Sequence, residues 1–266
     1  MEKEKITKAE DMDASQLDEL IFDMIHRIVV HHTLWFRETE HQLGFAKALE
    51  AMDKAWEQTK VISLKRFAAL GLPMEGDVPA GIAHMDKERK LALIDTLAKN
   101  WLAQDGVWFQ AVEFAHGMND AKRCNDSTWH RFSLLEAHSI KKLLGMGEHP
   151  GLAGLERALN FRMYGRLNVQ SCHYEGDALV FEMNKCRVQY ARTRKGLADY
   201  PCKSAGLVEY SNFAEGIDDR IQTECIACPP DKHPEHWSCA WKFTIKSEES
   251  EEQRAKRASL CLIPNP

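Results

Sequence analysis

From about Ser15 to Tyr164 the apolar residues recur at three- and four-residue spacing, which predicts helices, with breaks at "GLPMEGDVPAG" (71–81) and "GMGEHPGLAG" (145–154). Beyond Tyr164 the period shortens. "RLNVQSCHY" and "ALVFEMNKC" are alternating or β-rich runs separated by Glu175-Gly176-Asp177, which reads as a hairpin. A helix is then predicted over about 204–216, followed by strands over about 219–227 and 238–246. The tail "SEESEEQRAKRAS" is a charge run and reads as a solvated end. The pattern divides the chain into a helical region over 1–150, a region of strands and helix over 151–246, and a charged tail over 247–266.

The helical region repeats itself. Trp35, Phe36, Glu40, Gly44, Ala48 and Trp56 recur as Trp108, Phe109, Glu113, Gly117, Ala121 and Trp129, all at an offset of 73 residues. The spacing WF-x3-E-x3-G-x3-A places Phe, Glu, Gly and Ala four apart, on one slowly drifting helical stripe. Gly44 with Ala48, and Gly117 with Ala121, are expected to let another helix approach closely, so that the repeats pack as a pseudo-symmetric pair with Glu40 and Glu113 on partly buried faces. Each Glu then either supports packing by bonding neighbouring backbone or lines a ligand cavity. With the aromatic pairs beside them, Glu40, Glu113, Trp35 and Trp108 are candidate ligand-binding positions. A ferritin-like di-metal site does not fit, because Glu38-x-x-His41 and Glu113-x-x-His116 occupy different registers of the repeat. His31 and His32 read as a helix-end pair.

Composition narrows the functional classes. The 266 residues, 44% hydrophobic, suffice for one large core or two small ones. The opening "MEKEKITKAEDMD" is too charged for a signal peptide, and no apolar run reaches the roughly 18 residues that span a bilayer. A cytoplasmic protein without membrane partners is therefore expected. In a reducing compartment the eight cysteines point to metal binding or chemistry before disulfides. A net charge of −5 gives no global reason to expect nucleic acid.

The cysteines gather near the end of the chain, in "ECIACPPDKHPEHWSCAW". Cys225-x-x-Cys228 supplies two thiolates on one turn, and Cys239 follows eleven residues later across a loop stiffened by Pro229, Pro230 and Pro234. A tetrahedral site needs a fourth ligand, for which Cys202 in "DYPCKS" is the best candidate; four thiolates suit zinc. Cys186 is the spare, and His233 or His236 could replace a thiol. An iron–sulfur cluster is the alternative cofactor, although the compact C-x2-C-x2-C run is absent.

The order of strand hairpin, basic segment, "CKSAGLVEYSNFAEGI" helix, and strands bearing "ECIAC" and "CAWKF" resembles the 4-vinyl reductase domain, including the phenol-sensing domains of some bacterial activators. It also resembles the family of L-2-aminothiazoline-4-carboxylate hydrolases, and the combination of both halves resembles uncharacterised cytosolic bacterial proteins. The likeness implies an α+β fold in which helices flank an antiparallel sheet and enclose a cavity for a small, often hydrophobic molecule. It also implies Cys202, Cys225, Cys228 and Cys239 as zinc ligands, Cys225 standing where the sensors can carry Glu.

Two functions compete. In the first, the chain binds a small molecule and the metal is structural, because four thiolates leave no open position for water. The segment 186–203, with Arg187 and Arg192 among its bases, is either a solvated basic face or a fork holding a carboxylate at the pocket mouth. In the second, the chain is a hydrolase of a small cyclic C–N substrate, with Glu113, Asp105 and Cys186 as acid, base or nucleophile. Asp105 lies two helical turns before Glu113 if the helix is continuous, and is otherwise an N-cap with Gly106 opening the helix. The expected partner is a small-molecule ligand, with a homodimer left open.

Overall fold

The computed structural model describes residues 13–76, 78–194 and 199–246, together with Ala9 and Gly196. The charged tail over 247–266 and Lys195 of the basic segment lie outside the described residues. The fold is α+β, and the chain divides into two compact units between Asp86 and Lys87.

The first unit is a helical hairpin. Helix α1 (Ala14–Leu43) starts at a capping box, in which Asp13 Oδ1 accepts from the Gln16 amide at 2.9 Å and Gln16 Oε1 accepts from the Asp13 amide at 3.0 Å. It ends at Gly44, and α2 (Phe45–Ala69) begins at the next residue. A two-residue antiparallel pair, β1 (Met74–Glu75) with β2 (Val78–Pro79), and the single turn α3 (Ala80–Ala83) close the unit.

The second unit opens with the same hairpin. Helix α4 (Lys87–His116) and α5 (Met118–Leu144) are separated by Gly117 alone. The repeat glycines therefore do not lie within a helix as close-packing positions. They are the joints between two helices, with φ of 89° at Gly44 and 90° at Gly117. A Cβ added at either would meet nothing within 4 Å, so the glycine is required by backbone conformation and not by space. Each joint is bonded alike: the Gly44 amide donates to the Glu40 carbonyl at 2.9 Å and the Gly117 amide to the Glu113 carbonyl at 2.8 Å. The small buried residues are the alanines one turn on, Ala48 and Ala121.

After α6 (Gly151–Leu159) and a 3₁₀ turn at Met163–Arg166, strands β3 (Val169–Glu175) and β4 (Ala178–Lys185) form the predicted hairpin. Helices α7 (Arg187–Thr193) and α8 (Lys203–Ile217) precede β5 (Ile221–Ala227) and β6 (Cys239–Ile245). The sheet is antiparallel in the order β3-β4-β6-β5. Helix α8 packs against both the sheet and α5, and the core gathers Leu155, Phe181, Phe213, Ile217, Trp241 and Phe243. This explains why the division of the chain falls at residue 86 and not at 150. The second hairpin supplies α5 to the core of the sheet-bearing unit, an alliance invisible to a period that changes only at Tyr164.

Candidate functional site

A cavity of about 550 Å³ lies within the second unit. Its first wall is α4, which runs unbroken through Asp105 and Gly106, so Asp105 is a mid-helix residue and not an N-cap. Asp105, Phe109 and Glu113 line the cavity from this helix, and Trp129 joins them from α5. Burial alone holds the Asp105 carboxyl above its ordinary range.

The second wall is α7, a helix formed by the basic segment and not foreseen from the spacing of its charges. Cys186, which precedes it, lines the cavity with Arg187, Gln189 and Arg192. Gln189 anchors the segment that follows: its Nε2 donates to the Tyr200 carbonyl at 2.9 Å and its Oε1 accepts from the Tyr200 amide at 2.8 Å. Burial pushes the Cys186 thiol up to about 12. At neutral pH it is a protonated thiol, a weak nucleophile as it stands.

The third wall holds the sulfurs. Cys202, Cys228 and Cys239 all line the cavity, from the N-cap of α8, the loop after β5 and the first residue of β6. The Sγ atoms of Cys202 and Cys228 are 3.5 Å apart, and Gln189 Nε2 stands 3.6 Å from Cys202 Sγ. The Cys228 hydrogen bond holds the Cys202 thiol below its ordinary range; bonds to Cys202 and Cys239 raise that of Cys228. Gly206 keeps this corner tight, since a Cβ there would lie 2.8 Å from Trp241 Cζ2 and 3.4 Å from Cys228 Sγ. Cys225 sits opposite Trp241 on β5, half-buried and outside the cavity lining. Burial pushes its thiol up to about 11, against the pull of Lys203.

In a tetrahedral zinc site with Zn–S near 2.3 Å the sulfurs are about 3.8 Å apart, so the Cys202–Cys228 distance fits. No three of these sulfurs lie mutually within 4.8 Å, so a metal would draw at least one of them inward. His149, Asp218 and Asp219 do bring their ligand atoms that close. There, however, the Asp218 carboxylate is already bonded by Arg220 at 2.8 and 3.0 Å and by the Gly151 amide at 2.9 Å, a structural clamp between α6 and the end of α8.

Three residues of the site were missed in the sequence. Arg162, buried, donates from Nε to Glu136 Oε2 at 2.8 Å, and its Nη1 faces Glu209 Oε1 at 2.8 Å without hydrogen-bond alignment. Glu209 lines the cavity, and burial pushes its carboxyl up to about 7 despite Arg162. The signal was its position four residues from both Ala205 and Phe213, on the buried stripe of α8.

The repeat aromatics stand elsewhere. Trp108 lines a neighbouring hollow of about 350 Å³, which shares Asp105, Phe109 and Trp129 with the main cavity. Trp35 lines a hollow of about 290 Å³ in the first unit, to which Glu40 does not contribute; Glu40 pairs with Arg37 at 3.5 Å. Every residue lining the Trp35 hollow lies 73 positions before one lining the Trp108 hollow, down to His32 standing where Asp105 follows.

The chain belongs to DUF6125, a family of unknown function, whose family model matches residues 10–85 and 83–245. The two matched segments meet where the two units meet. No curated protein matches it in sequence. Among solved structures it is similar to the phenol-responsive sensory domain of the transcription activator PoxR, solved with phenol, at 13% identity and a TM-score of 0.37, covering 59% of this chain and 79% of that one. Among the described residues no helix is long and apolar enough to cross a membrane.

Proposed function

We propose that this DUF6125 member is a small-molecule-binding protein whose cavity in the second unit receives an apolar-bodied ligand, and whose Cys202, Cys225, Cys228 and Cys239 hold one structural zinc ion. The observation that carries this reading is the cavity itself. Its volume of about 550 Å³ falls in the range of ligand sites, and rings of Phe109, Trp129, Tyr164 and Tyr210 line it around a few convergent polar groups. The thiols support the metal through their chemistry and through the 3.5 Å separation of Cys202 and Cys228. A four-thiolate zinc stabilises the fold by joining α8 to the β5–β6 hairpin and offers no position for a reacting water. Native mass spectrometry with metal analysis of anaerobically purified protein tests both parts. The expected result is one zinc per chain and a retained small molecule; acid-labile sulfide would replace zinc by an iron–sulfur cluster, and a metal-free folded chain would remove the metal.

A second reading, hydrolysis of a small cyclic C–N substrate, is favoured by one observation: Glu209, near 7, and Asp105, raised by burial, face one cavity and could divide acid and base roles. Turnover of 2-aminothiazoline carboxylates that falls at least about 100-fold in Asp105→Asn or Glu209→Gln supports it. Unchanged turnover in both variants removes it.

A further inference from the structure

We propose that the ligand of the main cavity is a small organic cation, an ammonium carried on an aromatic or alicyclic body, held by Glu209 with Asp105 across from it. This rests on the cavity being a ligand site. The argument is a count of charge on the walls. One guanidinium, Arg162, serves two carboxylates. Glu136 is satisfied, accepting from Arg162 Nε at 2.8 Å and from the Met163 amide at 2.9 Å. Glu209, only 8% exposed, receives an ion pair but no aligned hydrogen bond at Oε1. Asp105 adds a second carboxylate with neither hydrogen bond nor salt bridge among the described residues, and Glu113 a third on the same helix. The cations that line the cavity are Arg187, which is exposed, and Arg192, which has interactions of its own, both on α7.

The protein already shows how it holds a cation here. The Arg162 guanidinium lies over Phe213 at 4.6 Å, Tyr210 at 5.5 Å and Tyr164 at 5.8 Å, between the carboxylates of Glu136 and Glu209. Tyr164, Tyr210 and Glu209 also line the cavity. The same chemistry, ring faces around a carboxylate in a desolvated space, is thus offered to an incoming cation. A carboxylate ligand, the class suggested by the basic segment, would meet the three acids Asp105, Glu113 and Glu209 as well as Arg187 and Arg192.

The test compares three probes of one shape on the full chain: benzylammonium, benzyl alcohol and benzoate, by calorimetry and thermal shift. Benzylammonium is expected to bind at least about tenfold more tightly than the other two. Glu209→Gln should abolish that preference and leave benzyl alcohol binding as it was. Because Glu209→Gln also removes a partner of buried Arg162, Asp105→Asn serves as the second variant: its melting temperature should be unchanged, and its benzylammonium affinity several-fold weaker. Benzyl alcohol or benzoate binding as tightly as benzylammonium overturns the charge assignment and leaves the cavity a ligand site. Binding of none of the three, or a benzylammonium affinity indifferent to both variants, overturns the proposal outright, a proton on Glu209 then being the only cation the walls require.

Discussion

The two hairpins carry one motif and the same glycine joint, yet the first lines a hollow of about 290 Å³ and the second a cavity of about 550 Å³. Trp56 and Trp129 are equivalent in the repeat, and Trp56 is 58% exposed where Trp129 is 4% exposed. Trp129 is stacked on Tyr164 at 5.5 Å and meets Trp101 edge-on at 5.9 Å. What surrounds Trp129 comes partly from outside the motif, from the 3₁₀ turn, while α8 packs along the same helix α5. The WF-x3-E-x3-G-x3-A pattern thus encodes a joint and a shallow hollow. The cavity arises where α7, α8 and the sheet are laid against that scaffold.

The comparison can be broken most forcefully at the sulfurs. If the proposed zinc is bound, serine at Cys202 or Cys228 should abolish its binding and cost the second unit several kcal/mol, since structural zinc contributes folding energy directly. Hydrogen exchange on the intact chain should show protection lost over 203–245 and kept in α1 and α2; equal loss in both would mean the hairpins are not separately stabilised. The tryptophans sharpen the contrast next. Trp129→Ala should cost about 3–5 kcal/mol in chemical denaturation, and Trp56→Ala less than about 0.5 kcal/mol. Similar costs would refute the account given of the second hairpin. The joints should behave alike: Gly44→Ala and Gly117→Ala are each expected to cost about 1–3 kcal/mol through backbone strain, measured as a shift in unfolding midpoint. A neutral result at either would place the strain elsewhere. The smallest effect is one of pH. Arg220 and the Gly151 amide hold the Asp218 carboxyl well below the usual carboxylate range. Its folded-state value being depressed, the stability it contributes is fully present above the ordinary carboxylate pKa and is lost as pH falls through that range towards the folded value. Acid titration of Asp218→Asn should therefore show a shallower loss of stability below about pH 4 than the parent chain.

Much of this architecture was legible in the chain. The strands announce themselves by alternation and by the turn at Glu175-Gly176-Asp177, and α8 by its apolar stripe, because these are local patterns. Cys202 and Cys228 stand 3.5 Å apart where the start of α8 meets the loop after β5, whereas Cys225, grouped with them in the sequence, is outside the cavity lining, and Asp105 joins Glu113 only because α4 runs through Gly106 without a break. What escaped depends on contacts between distant segments. Gly44 and Gly117 fit a helical period as well as a joint does, and only φ separates the two. The Glu136–Arg162–Glu209 group joins α5, the turn after α6 and α8, and no local pattern pairs residues so far apart. The division into compact units at Asp86 and Lys87 was not foreseen for the same reason: α5 is indistinguishable from α2 by period, and differs in what lies against it.

The burial of the tryptophans has an optical consequence. Trp129, Trp237 and Trp241 are shielded and all belong to the second unit, whereas Trp35, Trp56 and Trp108 face solvent. Emission at the blue edge of the spectrum therefore originates in the sheet-bearing half, and the red-edge emission of the folded chain comes from Trp35, Trp56 and Trp108. Loosening of the second unit moves intensity from blue to red, while melting of the first hairpin leaves the spectrum nearly still. The chain carries its own reporter for the half that holds the cavity.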